Sequence, residues 1–189
     1  MGALPNKLPG GRDVENAEAR TAAERVWGGK RIPPVRGRHL SGMFEAIEHG
    51  KMSAFLVIGE NPAQSEADCK RTVALLSGLE CLIVQDIFLT ETAHLADVVL
   101  PSACFAEKDG TFTNTERRVQ RIRKAVPAPG QAKADWQIIS GLSTKMGYPM
   151  SYASAEEIMK EIALVTPSYA GITYERIEKE GLQWPCPNT

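Results

Sequence analysis

Hydrophobic and polar positions follow a regular pattern from about residue 41 onwards. Ala54–Ile58 and Cys81–Val84 are uninterrupted apolar runs of strand length, which is typical of strands buried on both faces of a parallel sheet. A third run, Asp97–Leu100, follows them. Between the first two, Ser65–Ser77 places apolar side chains among charged ones, and this spacing predicts a helix with Ser65 as its N-cap.

Further segments have the apolar spacing of helices. One precedes the first strand and ends at Gly50, and the others lie towards the C-terminus: Ala134–Met146, Ala153–Val165 and Tyr174–Gly181. Two short β-prone stretches around residues 111–113 and 118–120 flank a turn, and they predict a hairpin.

The order strand, helix, strand, short helix, strand predicts an α/β fold with a doubly wound, mostly parallel sheet and flanking helices, which is Rossmann-like. We assign this domain to residues 41–150 and a C-terminal helical extension to residues 151–189. Residues 1–40 are rich in glycine, proline and arginine, and we interpret them as an extended strap with a short helix over Val14–Val26. A disordered linker is the alternative interpretation of this polar segment.

Small and polar residues follow each predicted strand. Parallel sheets of this class bind ligands at the carboxyl ends of their strands, so these positions form a candidate binding site: Gly59, Glu60 and Asn61 after the first strand, Gln85 and Asp86 after the second, and Ser102 after the third. Ordinary loop chemistry is the alternative, because every strand must end in something polar.

Composition narrows the classes of protein to consider. Lysine and arginine number 22 against 23 aspartate and glutamate, giving a net charge of −1, and this balance argues against a nucleic-acid partner. No apolar run approaches the roughly 20 residues of a membrane-spanning helix, and no signal peptide is visible. We therefore expect no membrane span and a cytoplasmic location.

Residues that carry catalysis or bind metals are not evident in the sequence. The 4 cysteines are widely spaced without a C-x-x-C pair, so we expect reduced thiols and no zinc or iron–sulfur site in this chain. The 3 histidines fit no nucleophile or zinc motif. A basic cluster over residues 117–124 is either a solvated face or a positive wall beside an anionic ligand or another domain. The chain therefore resembles a binding domain without its own catalytic residues.

Several strings in the sequence resemble the molybdopterin oxidoreductase family. They are G-E-N-P from Gly59, V-Q-D-I-F-L-T-E-T-A from Val84, A-D-V-V-L-P from Ala96 and A-D-W-Q-I-I from Ala134, in the order that the family has them. The stretch YAGITYERIEKEGLQWPCP near the C-terminus is most similar to formate dehydrogenase alpha subunits. The resemblance covers essentially the whole chain.

The resemblance implies that the chain is the third, Rossmann-like domain of a larger catalytic subunit. Such subunits hold molybdopterin guanine dinucleotides around one molybdenum or tungsten, and their metal ligand and iron–sulfur cysteines lie upstream of the matched region. The partners implied are the remaining domains of the same subunit and the electron-transfer subunits of the complex. We expect the parent to oxidise formate to carbon dioxide and the isolated chain to be inactive.

The resemblance also implies which residues bind the guanine dinucleotide. Gly59, Glu60 and Asn61 would line the cofactor, and Ser65 would offer its hydroxyl and a helix N-terminus to phosphate. Gln85, Asp86 and Ser102 would face the guanosine part. Asp135 would accept hydrogen bonds from the guanine or the ribose. A related nitrate reductase or other molybdopterin oxidoreductase, and a non-catalytic domain for subunit contact, are the alternative functions.

Overall fold

The computed structural model describes residues 4–29 and 31–188. In chain order, the strands are β1 (Lys7–Leu8), β2 (Arg12–Asp13), β3 (Ala54–Ile58), β4 (Cys81–Asp86), β5 (Val98–Pro101), β6 (Gly110–Thr113), β7 (Arg118–Ile122) and β8 (Leu182–Gln183). The helices are α1 (Ala17–Val26), α2 (Leu40–Glu48), α3 (Pro62–Ser65), α4 (Cys69–Ser77), α5 (Asp135–Lys145) and α6 (Ala155–Val165). Among these helices, none is both long enough and apolar enough to cross a membrane.

Internal contacts divide the chain into two units. The sheet unit, as we call it, comprises Arg38–Lys108 and Ala125–Met150. The hairpin unit comprises Asp109–Lys124 and the described residues of Met1–Gly37 and Ser151–Thr189. The division into residues 1–40, 41–150 and 151–189 stays a prediction.

A parallel three-stranded sheet, ordered β3-β4-β5, forms the centre of the sheet unit. One face of the sheet carries a core that α2, α4 and the 3₁₀ turn Ala93–Leu95 complete. The buried members of that core are Phe44, Val57, Leu76, Leu82, Val84 and Ala93. The mixed α/β architecture with flanking helices is thus confirmed, and the predicted strands are present at their predicted places.

The expectation that β3 is buried on both faces is wrong for the residues that the structure describes. Val57 on the core side is 5% exposed, whereas Leu56 and Ile58, which point to the opposite face, are 38% and 44% exposed. Side chains alternate between the faces of a strand, so burial follows the face that α2 and α4 cover.

The predicted helix over Ser65–Ser77 is in fact two helices. α3 ends at Ser65, and α4 begins at Cys69 after its N-cap Asp68, whose Oδ1 accepts a hydrogen bond from the Arg71 amide at 3.0 Å. Ser65 is therefore not the N-cap of the longer helix. An aspartate at the N-cap is as favourable as a serine, so the sequence pattern alone did not separate the two positions.

The hairpin unit contains the predicted β6–β7 hairpin, and β8 adds to it as a third antiparallel strand. Val119, Met159, Ile172, Tyr174 and Ile177 form its main core. The region 174–181 is a series of turns, so the helix predicted there is wrong. Residues 4–29 contain the β1–β2 hairpin and α1, which confirms the short helix, whereas the extended strap stays a prediction.

The basic cluster over residues 117–124 is largely paired within the hairpin unit. Arg121 and Arg123 both form ion pairs with Glu178, and Arg118 pairs with Glu116. The Arg121 guanidinium also lies 3.9 Å from the centre of the Tyr174 ring. These partners reduce the positive charge that the cluster can offer to an anionic ligand.

Candidate functional site

A pocket lies at the carboxyl ends of the parallel strands in the sheet unit, with a volume of about 520 Å³. All eight residues predicted to bind the cofactor line it: Gly59, Glu60, Asn61, Ser65, Gln85, Asp86, Ser102 and Asp135. The pocket forms here because the carboxyl ends of neighbouring parallel strands meet at one edge of the sheet. The structure thus brings these residues together, and their role in binding stays a prediction.

A short parallel pairing brings Asp135 to the pocket. Ser102, directly after β5, bridges to Lys133, with the Ala103 amide donating to the Lys133 carbonyl at 2.8 Å. α5 then begins at Asp135, after Ala134 at the N-cap position. The bridge therefore places the first residue of α5 beside the end of the sheet, although Asp135 and Ser102 are far apart in the chain.

The Asp135 carboxylate is held from two sides. Gln85, which is 1% exposed, donates from Nε2 to Asp135 Oδ1 at 2.9 Å, and Lys108 forms an ion pair with Oδ2. Burial by itself would raise the pKa of Asp135, but the hydrogen bonds from Lys108 and Gln85 outweigh it and hold the pKa below its usual value. Asp135 is therefore an ionised acceptor in a fixed position.

Ser102 carries a hydroxyl that no described residue engages. The residue is 6% exposed, and its Oγ is buried without a hydrogen-bond partner. Buried polar atoms in native proteins are nearly always paired, so the unpaired Ser102 hydroxyl favours a ligand that hydrogen-bonds to it. Gly59, at φ 63°, has no atom within 4 Å of the place where a Cβ would stand, so a ligand can approach its backbone closely.

The described lining of the pocket is acidic. It contains the carboxylates of Glu60, Asp86 and Asp135 and no lysine or arginine. Asp86 Oδ1 accepts a hydrogen bond from the Phe88 amide at 2.9 Å. A pocket of this kind suits a ligand rich in N–H and O–H donors, since ionised carboxylates only accept hydrogen bonds.

Four residues at the site were missed by the sequence analysis. Ile87, Phe88 and Thr90 line the pocket, and Phe88 is 70% exposed at its rim. Lys108 acts through its ion pair with Asp135. Two apolar residues, Ile87 and Phe88, directly follow Asp86, and this pattern could have indicated the apolar rim of the pocket. No local pattern indicated Lys108, because its partner Asp135 is 27 residues away in the chain.

Residues 4–29 and 31–188 contain no group of three or more histidine, cysteine, aspartate or glutamate side chains that could hold a metal ion. Cys69, Cys81, Cys104 and Cys186 are free thiols.

Comparisons with known proteins give a consistent result. The sequence model of the molybdopterin oxidoreductase family matches residues 7–145. The chain is 52% identical to the F420-dependent formate dehydrogenase subunit alpha of Methanocaldococcus jannaschii, covering 98% of this chain and 27% of that protein. It is 40% identical to formate dehydrogenase H of Escherichia coli, covering 100% of this chain and 27% of that protein.

A solved structure is similar to this chain in fold. Acetylene hydratase from Pelobacter acetylenicus matches with a TM-score of 0.65 at 22% identity, over 90% of this chain and 24% of that one. The chain thus spans about a quarter of the length of the relatives that it matches.

Proposed function

This chain belongs to the molybdopterin oxidoreductase family, and we propose that it is a cofactor-binding part of the large subunit of a formate dehydrogenase. The observation that carries the proposal is the pocket at the strand ends, which gathers the predicted residues around the unpartnered hydroxyl of Ser102. The identity to two formate dehydrogenases along nearly the whole chain supports the choice of reaction.

The parent protein, in this proposal, oxidises formate to carbon dioxide in the cytoplasm. A molybdenum or tungsten centre held by pterin guanine dinucleotides supplies the two-electron chemistry when bound, and the metal ligand and iron–sulfur cluster belong to other parts of the subunit. The partners of this chain are those other parts of the subunit and the electron-transfer subunits of the complex. Strands β3, β4 and β5 belong to a doubly wound, Rossmann-like sheet.

The parent's reaction is tested with the full-length protein. Formate should drive the reduction of an artificial electron acceptor, whereas the 189-residue chain alone should give no turnover, because the proposal assigns the metal ligand to another part of the subunit. A full-length protein that reduces nitrate and ignores formate would contradict the substrate part of the proposal.

The residues of the pocket fit the guanosine half of the dinucleotide. Asp135, fixed by Gln85 and Lys108, is suited to accept from N1–H and the 2-amino group of guanine, while Asp86 accepts from the ribose. The hydroxyl of Ser102 has its hydrogen-bonding capacity free for the same ligand. Each of these groups meets a donor or acceptor that a nucleoside presents.

Phosphate fits the same pocket poorly. Of the three carboxylates that line it, only Asp135 is paired with a cation among the described residues, Lys108, and no cation lies in the described lining itself. Ser65 ends a helix of four residues instead of beginning α4. The phosphates of the dinucleotide are therefore met outside the residues that line this pocket.

The affinities for a nucleoside and its nucleotide test whether the pocket binds the guanosine part and excludes the phosphates. We expect guanosine to bind the 189-residue chain at least as tightly as guanosine monophosphate at low salt, since the carboxylates repel the added phosphate. Raising the ionic strength should narrow the difference, because salt screens the repulsion. Isothermal titration with both ligands, and with adenosine as control, measures it, and a monophosphate that binds about tenfold tighter would contradict a nucleoside pocket.

A further inference from the structure

The side chain of Asn61 connects two loops that line part of the pocket, and we propose that Asn61 is a positioning residue that fixes their separation. The first loop, residues 59–65 including the short helix α3, contributes Gly59, Glu60 and Ser65 to the lining. The second, residues 86–92, contributes Asp86, Ile87, Phe88 and Thr90. The inference rests on the proposed function only for its choice of guanosine as the probe.

Every hydrogen-bonding position of the Asn61 side chain is occupied by protein. Its Nδ2 donates to Gln64 Oε1 at 3.0 Å and to Glu91 Oε2 at 2.6 Å. Its Oδ1 accepts from the Thr92 amide at 3.1 Å and from the Thr92 hydroxyl at 2.7 Å. A primary amide has two donors and two acceptor lone pairs, so no capacity remains for a ligand.

Thr92 extends the connection back into the first loop. It is completely buried, and its Oγ1 accepts from the Ala63 amide at 3.0 Å while its proton goes to Asn61. The Asn61 carbonyl in turn accepts from the amides of Gln64 and Ser65 at 3.0 and 2.9 Å. The two loops are thus joined by hydrogen bonds that leave from both sides of one side chain.

The connection also controls a negative charge near an acidic pocket. Glu91 faces Asn61 and lies outside the pocket lining, and the hydrogen bond from Asn61 is the main cause that lowers the pKa of Glu91. A carboxylate at position 61 would face Glu91 without a donor between them, and like charges placed opposite each other are destabilising. The loops would then be pushed apart.

Exchanging the donor and the acceptor of the hydrogen bond between positions 61 and 91 tests the proposal. N61D places two carboxylates in contact, whereas N61D/E91Q restores the hydrogen bond with donor and acceptor exchanged, since the new amide at position 91 donates to the new carboxylate at position 61. That carboxylate still accepts from Thr92, and the side-chain amide of Gln64 turns to donate. The matched control is E91Q alone, which keeps an acceptor for Asn61.

Guanosine affinity of the full 189-residue chain is the readout, by isothermal titration. We expect N61D to weaken binding about tenfold, E91Q to leave it nearly unchanged and N61D/E91Q to return it to within about threefold of wild type. A double variant no better than N61D, or an N61D variant that binds like wild type, overturns the proposal. If N61D fails to fold, the guanosine affinity of N61D/E91Q is compared with that of E91Q. A double variant that binds guanosine more weakly than E91Q overturns the proposal.

A separate measurement distinguishes this inference from the proposed function. If the wild-type chain does not bind guanosine, the proposed function fails, and the connection is measured by hydrogen exchange at the amides of Ala63 and Thr92. Exchange there should accelerate in N61D and slow again in N61D/E91Q. Equal exchange rates in all variants would overturn the positioning role.

Discussion

Replacing Leu82 with alanine is expected to lower the free energy of unfolding of the sheet unit by about 2–5 kcal/mol. Leu82 is 1% exposed near the start of β4, where it belongs to the core that Val57, Leu76 and Val84 share. Interiors are close-packed, so the deletion loses the transfer free energy of the side chain and leaves a cavity. Urea denaturation followed by circular dichroism measures the change.

Leu56→Ala is the matched control, because it deletes the same atoms from the neighbouring strand. Leu56 is 38% exposed on the opposite face of the sheet, so we expect a loss of under about 1 kcal/mol. Equal losses for the two substitutions would contradict the one-sided burial of the sheet.

The strand positions were predictable because they depend on local pattern. Short apolar runs separated by a helix-sized polar segment define β3, β4 and their connection, and the structure has both strands where the runs are. One-sided burial was not predictable from the same runs. An uninterrupted apolar strand carries the same side chains to both faces, and only the positions of α2 and α4 decide which face is covered.

The site was predictable in part for a similar reason. The residues after β3, β4 and β5 had to meet at one edge once the strands were parallel, and they line one pocket. The prediction that Asp135 belongs to the site depended on the resemblance to a family. Its position at the pocket results from the β-bridge between Ser102 and Lys133, which no pattern in the sequence indicates. The roles of Lys108 and Asn61 depend on contacts that no spacing in the sequence encodes.

Local competition explains the misplaced helix start. Ser65 and Asp68 are both residues that favour N-caps, and a chain can use either one before the same apolar pattern. The one-turn helix α3, with Pro62 at its first position, ends at Ser65 and leaves Asp68 to cap α4. The consequence for the site is that Ser65 offers a hydroxyl to the pocket without the N-terminus of a long helix.

Replacing Asp135 with asparagine is expected to weaken guanosine binding about a hundredfold and to reverse the preference between guanosine and xanthosine. In the proposed complex the carboxylate accepts two hydrogen bonds from the N1–H and 2-amino edge of guanine, whereas an asparagine presents one acceptor and one donor. Xanthosine has a carbonyl where guanosine has its 2-amino group, so the new side-chain amide at position 135 donates to it while its oxygen accepts from N1–H. Isothermal titration of both nucleosides, under mildly acidic conditions that keep xanthosine neutral, measures the two affinities.

Asp86→Asn distinguishes the base contact from the ribose contact. Guanosine and xanthosine share the same ribose, so a carboxylate that meets the sugar changes both affinities by the same factor, and D86N should leave their ratio at the wild-type value. Asp135 stays ionised under these conditions because Lys108 and Gln85 hold its pKa below the usual value. A reversal of preference in D86N in place of D135N would assign the base edge to Asp86, because only a group in contact with position 2 of the purine responds to the exchange of an amino group for a carbonyl.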